Sequence, residues 1–323
     1  MVTGVKKVVP ISAMIGTLLL TPVSWASTAP VTHLTEADAK VENLKAFSES
    51  PESTEAQAAE PVAGVNTLPL SDVADSIRRE VPAATPLLYT DTLTTIYAEH
   101  QLKPLWTDEK ARLSLENQLA EAALAGFQPQ FTAWLNALAQ PDLSPLARDM
   151  ILTDAALGYL YYLDNVSTKG DKWLYGARPF TFAAVSAPSL ARLNTAAHNG
   201  TLAAFTDTLL PANKMYQPMR KAMLTELADT APWPEMVINR TLRPGESHES
   251  VGALREILHR FNLISANDMM SAGAVYDKTL VAAVKQFQLQ HGLEADGVIG
   301  KQTREWLNKT PQMRAAIMAV NIQ

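Results

Sequence analysis

Not one of the 323 residues is a cysteine. That absence excludes disulfides, thiolate-bound metals and a cysteine nucleophile from the chemistry of these residues. A basic surplus is missing too: 27 Lys and Arg face 33 Asp and Glu, for a formal net charge of −6. With no basic stripe to follow a phosphate backbone, nucleic acid is not an expected partner. Long apolar runs are scarce. The stretch from Val8 to Leu20 is short for a membrane span and is interrupted by Pro10 and Ser12. Strand-like alternation is weak throughout. The chain also lacks H-E-x-x-H, H-x-H and G-x-S-x-G, so the common zinc-peptidase and serine-hydrolase signatures are not available.

What is present begins with an export pattern. Lys6 and Lys7 precede the apolar stretch, and Ser24-Trp25-Ala26 supplies a small-x-small cleavage site. Residues 1–26 are therefore expected to be a signal peptide, with no stable membrane span left after its removal. Residues 27–70 are rich in Ala, Ser, Thr, Glu and Pro, with no aromatic residue before Phe47. Such a segment buries too little apolar surface to offset its ordering entropy, and it reads as a disordered linker.

From residue 71 onward the helical period takes over. Ser71 or Asp72 is the expected cap of a first helix reaching Val81, and Thr90-Asp91 that of a second. A third helix is expected over Glu109–Ala125, closed by Gly126. Ser144-Pro145 reads as an N-cap with proline at the first helical position. Further helices are expected at 188–199, 201–210 and 214–229. This makes 71–235 a mostly helical domain, ended by Pro232-Trp233-Pro234. In a second domain, 241–310, Val251, Leu254, Leu258 and Phe261 recur at helical spacing, as do Leu280, Val284, Phe287 and His291. The predicted fold is mainly α: a helical domain followed by a small three-helix bundle.

The run "VKQFQLQHGLEADGVIGKQTREWLN", residues 284–308, concentrates the special residues. Gly292 suits a left-handed helix cap, with Leu293 expected to fold back on Phe287. Asp296-Gly297 suits a tight turn, and Gly300 a close approach before the last helix, which Thr303, Trp306 and Leu307 would hold on the core. The glycine spacing fits neither a dinucleotide fingerprint nor a phosphate loop.

The same run resembles the peptidoglycan-binding type 1 repeat, whose pattern Phe287, Gln288, Gly292, Leu293, Asp296, Gly297, Gly300 and Thr303 match in order. "LTTIYAEHQLKPLW" (93–106), "AGFQPQFTAWL" (125–135), "DKWLYGARPF" (171–180) and "TLRPGESHESVGALREIL" (241–258) resemble the large periplasmic L,D-transpeptidases of the YcbB type. In that family a helical scaffold domain and a peptidoglycan-binding module precede a catalytic domain with a cysteine nucleophile. The resemblance implies a periplasmic, non-catalytic half of such a protein, with peptidoglycan as partner and no cofactor or metal. Residues 311–323 are then expected to be a truncated linking helix, with Ile317, Met318, Val320 and Ile322 on an exposed face. The ligand-binding residues expected are Arg255, His259 and Arg304, in a groove between the module's first helix and the 296–303 turn. The alternative is an adaptor that docks other cell-wall enzymes, or a remnant of a transpeptidase. Other chemistry is weaker. His248, His259 and Asp268 are a thin basis for a metal site. Glu99, Glu116, Glu121 and Glu226 read as solvated faces, and Trp106, Trp134, Trp173, Trp233 and Trp306 as packing residues rather than sugar platforms.

Overall fold

The computed structural model describes residues 67–271 and 273–323. The expected signal peptide and nearly all of the expected linker lie outside the described residues. Among these, the elements are helices, with two isolated antiparallel bridges, Leu242 to Ile299 and Ser247 to Val275.

The first core begins with α1 (Leu70–Glu80), α2 (Thr90–Glu99), α3 (Glu109–Ala125) and α4 (Pro129–Leu138). The long α5 (Pro145–Leu174) runs through it, followed by α6 (Ala187–His198), α7 (Leu202–Asp207) and α8 (Tyr216–Ala228). Local signals explain several ends. The Ser144 hydroxyl accepts the Ala147 N–H with Pro145 at the first position of α5, and Gly126 closes α3. The first two helices depart from expectation. Neither Ser71, Asp72, Thr90 nor Asp91 acts as the N-cap; those positions are taken by Pro69 and Tyr89, without a side-chain cap.

The polar work at the start of α2 is done from a distance. Asp154, in the middle of α5, accepts from Leu88 N–H and Tyr89 N–H (2.8 Å for the latter) and from Trp134 Nε1 at 2.8 Å. One turn earlier, Asp149 accepts from Tyr97 Oη at 2.5 Å, Leu105 N–H at 2.9 Å and Trp106 N–H at 2.8 Å. Both carboxyls are pushed above the ordinary range by burial, and their donors offset part of that cost. Gly158, on the same helix, lies directly beneath the Trp134 indole: a Cβ there would come within 2.1 Å of Cη2.

A similar arrangement corrects the reading of the glutamates as solvated faces. Glu121 is buried, 2.5 Å from Arg220 Nε and 2.8 Å from Tyr216 Oη. Glu116 is buried beside Arg112, and Glu226 pairs with Arg314.

The chain then builds a second core from α9 (Val251–Arg260), the one-turn α10 (Ala266–Met269), α11 (Lys278–Gln290) and α12 (Lys301–Leu307). α10 was not anticipated; Ser265 and Asp268 form a capping box around it. Afterwards α13 (Pro311–Asn321) returns to the first core. Ala315, Ala319 and Ile322 are buried there, with Met318 packed against them. The expected exposed apolar face of this helix is thus largely covered, and only Ile317 of the four residues remains exposed.

The two chain crossings between the cores are tied together. Asn308 Oδ1 accepts Met236 N–H and its Nδ2 donates to Met236 O, while Trp233 Nε1 donates to Leu307 O. Arg314 binds Glu226 at 2.7 Å and lies over the rings of Trp233 (4.4 Å) and Phe261 (4.8 Å). One guanidinium therefore touches the first core, the crossing and the second core.

Candidate functional site

The residues singled out in 284–308 form an internal network. Gln288 is almost fully buried at the end of α11. Its Nε2 donates to Asp296 Oδ1 (3.0 Å), Val298 O (3.0 Å) and Thr303 Oγ1 (3.2 Å), and its Oε1 accepts Gly297 N–H at 2.8 Å. Asp296 also accepts Val298 N–H at 2.7 Å, the main reason its carboxyl sits below its ordinary value. Gly292, at φ +67°, closes α11 as Leu293 N–H donates to Gln288 O at 2.9 Å. Gly297 combines φ +76° with close packing, since a Cβ would lie 3.0 Å from Val281 Cγ1.

Two details differ from expectation. The ring over Phe287 is that of His291, at 4.0 Å; half-buried Leu293 is not part of the core. Gly300 caps α12 in extended conformation with open space where a side chain would go, so close approach is not its role.

The three expected ligand residues are separated. Arg255 is buried, and its guanidinium donates to Asp277 Oδ2 at 2.8 Å and to Asp268 O at 3.1 Å. It ties α9, α10 and α11 together, with its Nε buried and unpartnered. Its partner Asp277 also caps α11. Burial opposes ionisation of that carboxyl, but Leu280 N–H and Arg255 outweigh it and hold it below its ordinary value. Arg304, on α12, is half-buried, and no hydrogen bond or ion pair of its side chain is found among the described residues.

His259 instead lines a groove of about 440 Å³ with Gly252, Glu256, Arg260 and Met269. The groove lies along α9 and α10, whereas the expected one lay against the 296–303 turn. Arg260 forms its wall toward the crossing. Its Nη2 donates to Glu256 Oε1 at 2.7 Å and to Pro232 O at 2.8 Å, and the guanidinium lies 5.2 Å from the Trp233 ring. Nη1 is buried without a partner. The groove is thus lined by an imidazole, a carboxylate and a guanidinium, a set able to hold a carboxylate and a neighbouring amide or hydroxyl. Sequence reasoning missed Arg260 because its partners, Pro232 and Trp233, lie in the crossing segment, and only the fold brings them to the end of α9. No group of three His, Cys, Asp or Glu side chains able to hold a metal occurs among the described residues.

Residues 91–223 match the model of a scaffold domain, and residues 247–307 that of a putative peptidoglycan binding domain. The chain is also similar to a Haemophilus influenzae protein described as a putative L,D-transpeptidase, 29% identical over 132 residues. That match covers 41% of this chain and spans 27% of the relative's length.

Proposed function

We propose that this chain, a scaffold domain carrying a peptidoglycan-binding module of the L,D-transpeptidase type, holds peptidoglycan noncovalently through the groove along α9 and α10. The observation that carries the reading is that a groove lined by His259, Glu256 and Arg260 lies on the matched module. A guanidinium presents a planar fork that suits the carboxylates of a stem peptide, and His259 and Glu256 can exchange hydrogen bonds with amides or sugar hydroxyls. Each contact is modest, but a polymer offers many copies of the same ligand, so retention gains from rebinding.

The role proposed for these residues is attachment. L,D-transpeptidation proceeds through a thiolate, and these 323 residues supply none. The basic-then-apolar pattern of residues 1–26 supports export, which places the module where the wall is. In a second reading, supported by the scaffold match over 91–223, the first core docks another wall enzyme while the module supplies the anchor.

Sedimentation with purified sacculi tests the primary reading. The full chain is expected in the pellet, and Arg260→Ala together with His259→Ala should return it to the supernatant without altering the circular dichroism spectrum. Arg304→Ala, away from the groove, should leave retention unchanged. Loss of retention in Arg304→Ala alone would move the binding surface to α12.

A further inference from the structure

Two histidines meet on the scaffold, far in the sequence from the module. His100 is the C-cap of α2, and His198 is the last residue of α6. Their ring centroids are 4.1 Å apart, with the planes tilted by 46°. His198 Nδ1 lies 2.8 Å from Asn194 O, one turn back, which fixes its proton on Nδ1 and leaves the Nε2 lone pair free. His100 Nε2 is buried and has no hydrogen-bond partner. Asn194 Oδ1, one turn before His198 on α6, is also buried and unpartnered.

Unsatisfied buried polar atoms are costly and uncommon, and here two lie on residues that touch His198: His100 through its ring and Asn194 through its backbone carbonyl. The local field has a definite sign. Both imidazoles sit at helix C-termini, where the carbonyl ends carry partial negative charge and favour a cation. Each imidazole carries one ring nitrogen outside the contacts just described, Nε2 in both rings. Two imidazoles and an amide oxygen suit borderline divalent ions such as Cu²⁺, Zn²⁺ or Ni²⁺ better than Mg²⁺ or Ca²⁺.

We propose that His100, His198 and Asn194 form a binding site for a borderline divalent transition-metal ion, bridging the ends of α2 and α6 on the scaffold. The site is independent of the groove on the module. Its ligands come from the ends of two different helices, so the bound ion acts as a clip between them.

Cu²⁺ is the probe, applied to the untagged full chain after chelator treatment and followed by calorimetric titration and electron paramagnetic resonance. The expected result is one tight equivalent whose spectrum carries coupling from two imidazole nitrogens. His198→Gln changes an exposed side chain and leaves the fold intact. It should weaken binding about tenfold or more and reduce the coupling to one imidazole. His100→Gln should act alike, and Mg²⁺ should not compete. Failure of the wild-type chain to take up Cu²⁺, or wild-type affinity and coupling in both variants, overturns the proposal.

Discussion

The two cores solve the same problem with different chemistry. Each must satisfy backbone groups where helices give way to loops. The scaffold does so with buried charge: Asp149 and Asp154 on α5 reach across to the chain at Leu88, Tyr89, Leu105 and Trp106, and Glu121 holds Tyr216 and Arg220. The module relies on a buried neutral amide, Gln288, and on glycine corners that need no side-chain partner, with a single buried guanidinium, Arg255, tying its helices. A carboxylate gives strong bonds but must be desolvated; an amide gives weaker bonds at lower cost. The larger core can carry the first solution, and the smaller one uses the second.

This contrast can be broken in order of effect. Asp154→Ala leaves Leu88 N–H, Tyr89 N–H and Trp134 Nε1 facing a void, and should cost about 3–5 kcal/mol. Denaturant titration gives the size, and amide exchange should show the loss in the scaffold first. Equal loss of protection in α11 would mean that the two cores unfold as one unit. Gln288→Leu keeps much of the volume but strands Gly297 N–H, and should cost about 2–3 kcal/mol with the loss reported first by α11 and α12.

Gly297→Ala meets both positive φ and a crowded neighbour, and should cost about 1–2 kcal/mol in thermal unfolding. Gly300→Ala, in extended backbone with open space, should lie within about 0.5 kcal/mol of wild type.

The smallest expected effect is that of acidity, and its sign differs between the cores. Burial, with Arg314 adding to it, holds the His291 pKa below its ordinary value against the pull of the Phe287 carbonyl. The unfolded chain therefore binds a proton first as pH falls. The stability that neutral His291 contributes is full above about pH 6.5 and is lost below it, down through the folded pKa. In the scaffold, burial raises Asp149, Asp154 and Glu121 above their ordinary values, so protonation begins in the folded state and acid relieves a cost there. His100 is the opposing group on that side. Amide exchange at pH 7 and at about pH 5.5 should show protection falling in α11, and His291→Phe should remove that fall. A pH-independent α11 in the wild-type chain contradicts the assignment.

What was legible in the sequence was local. Ser144 and Gly126 announce helix ends through contacts within a few residues, and the structure uses both of them so. The mainly helical fold and the turn at Asp296-Gly297 follow from period and turn chemistry. What was hidden depended on which face of a helix meets which distant segment. Nothing around Asp154 says that it will hold Tyr89, and nothing around Arg255 says that it will be spent on Asp277. The return of α13 to the first core was hidden for the same reason, since an apolar stripe does not name what covers it. At the candidate site, His259 could be read as a residue, but its neighbour Arg260 acquired a role only when the crossing brought Trp233 to it.

The attachment role is tested most directly by the fraction of full-length chain that sediments with intact sacculi, for wild type and for His259→Ala/Arg260→Ala. Retention of the first and release of a folded second is the predicted outcome. A wild-type chain that stays in solution, or a double variant retained as strongly as wild type, contradicts it.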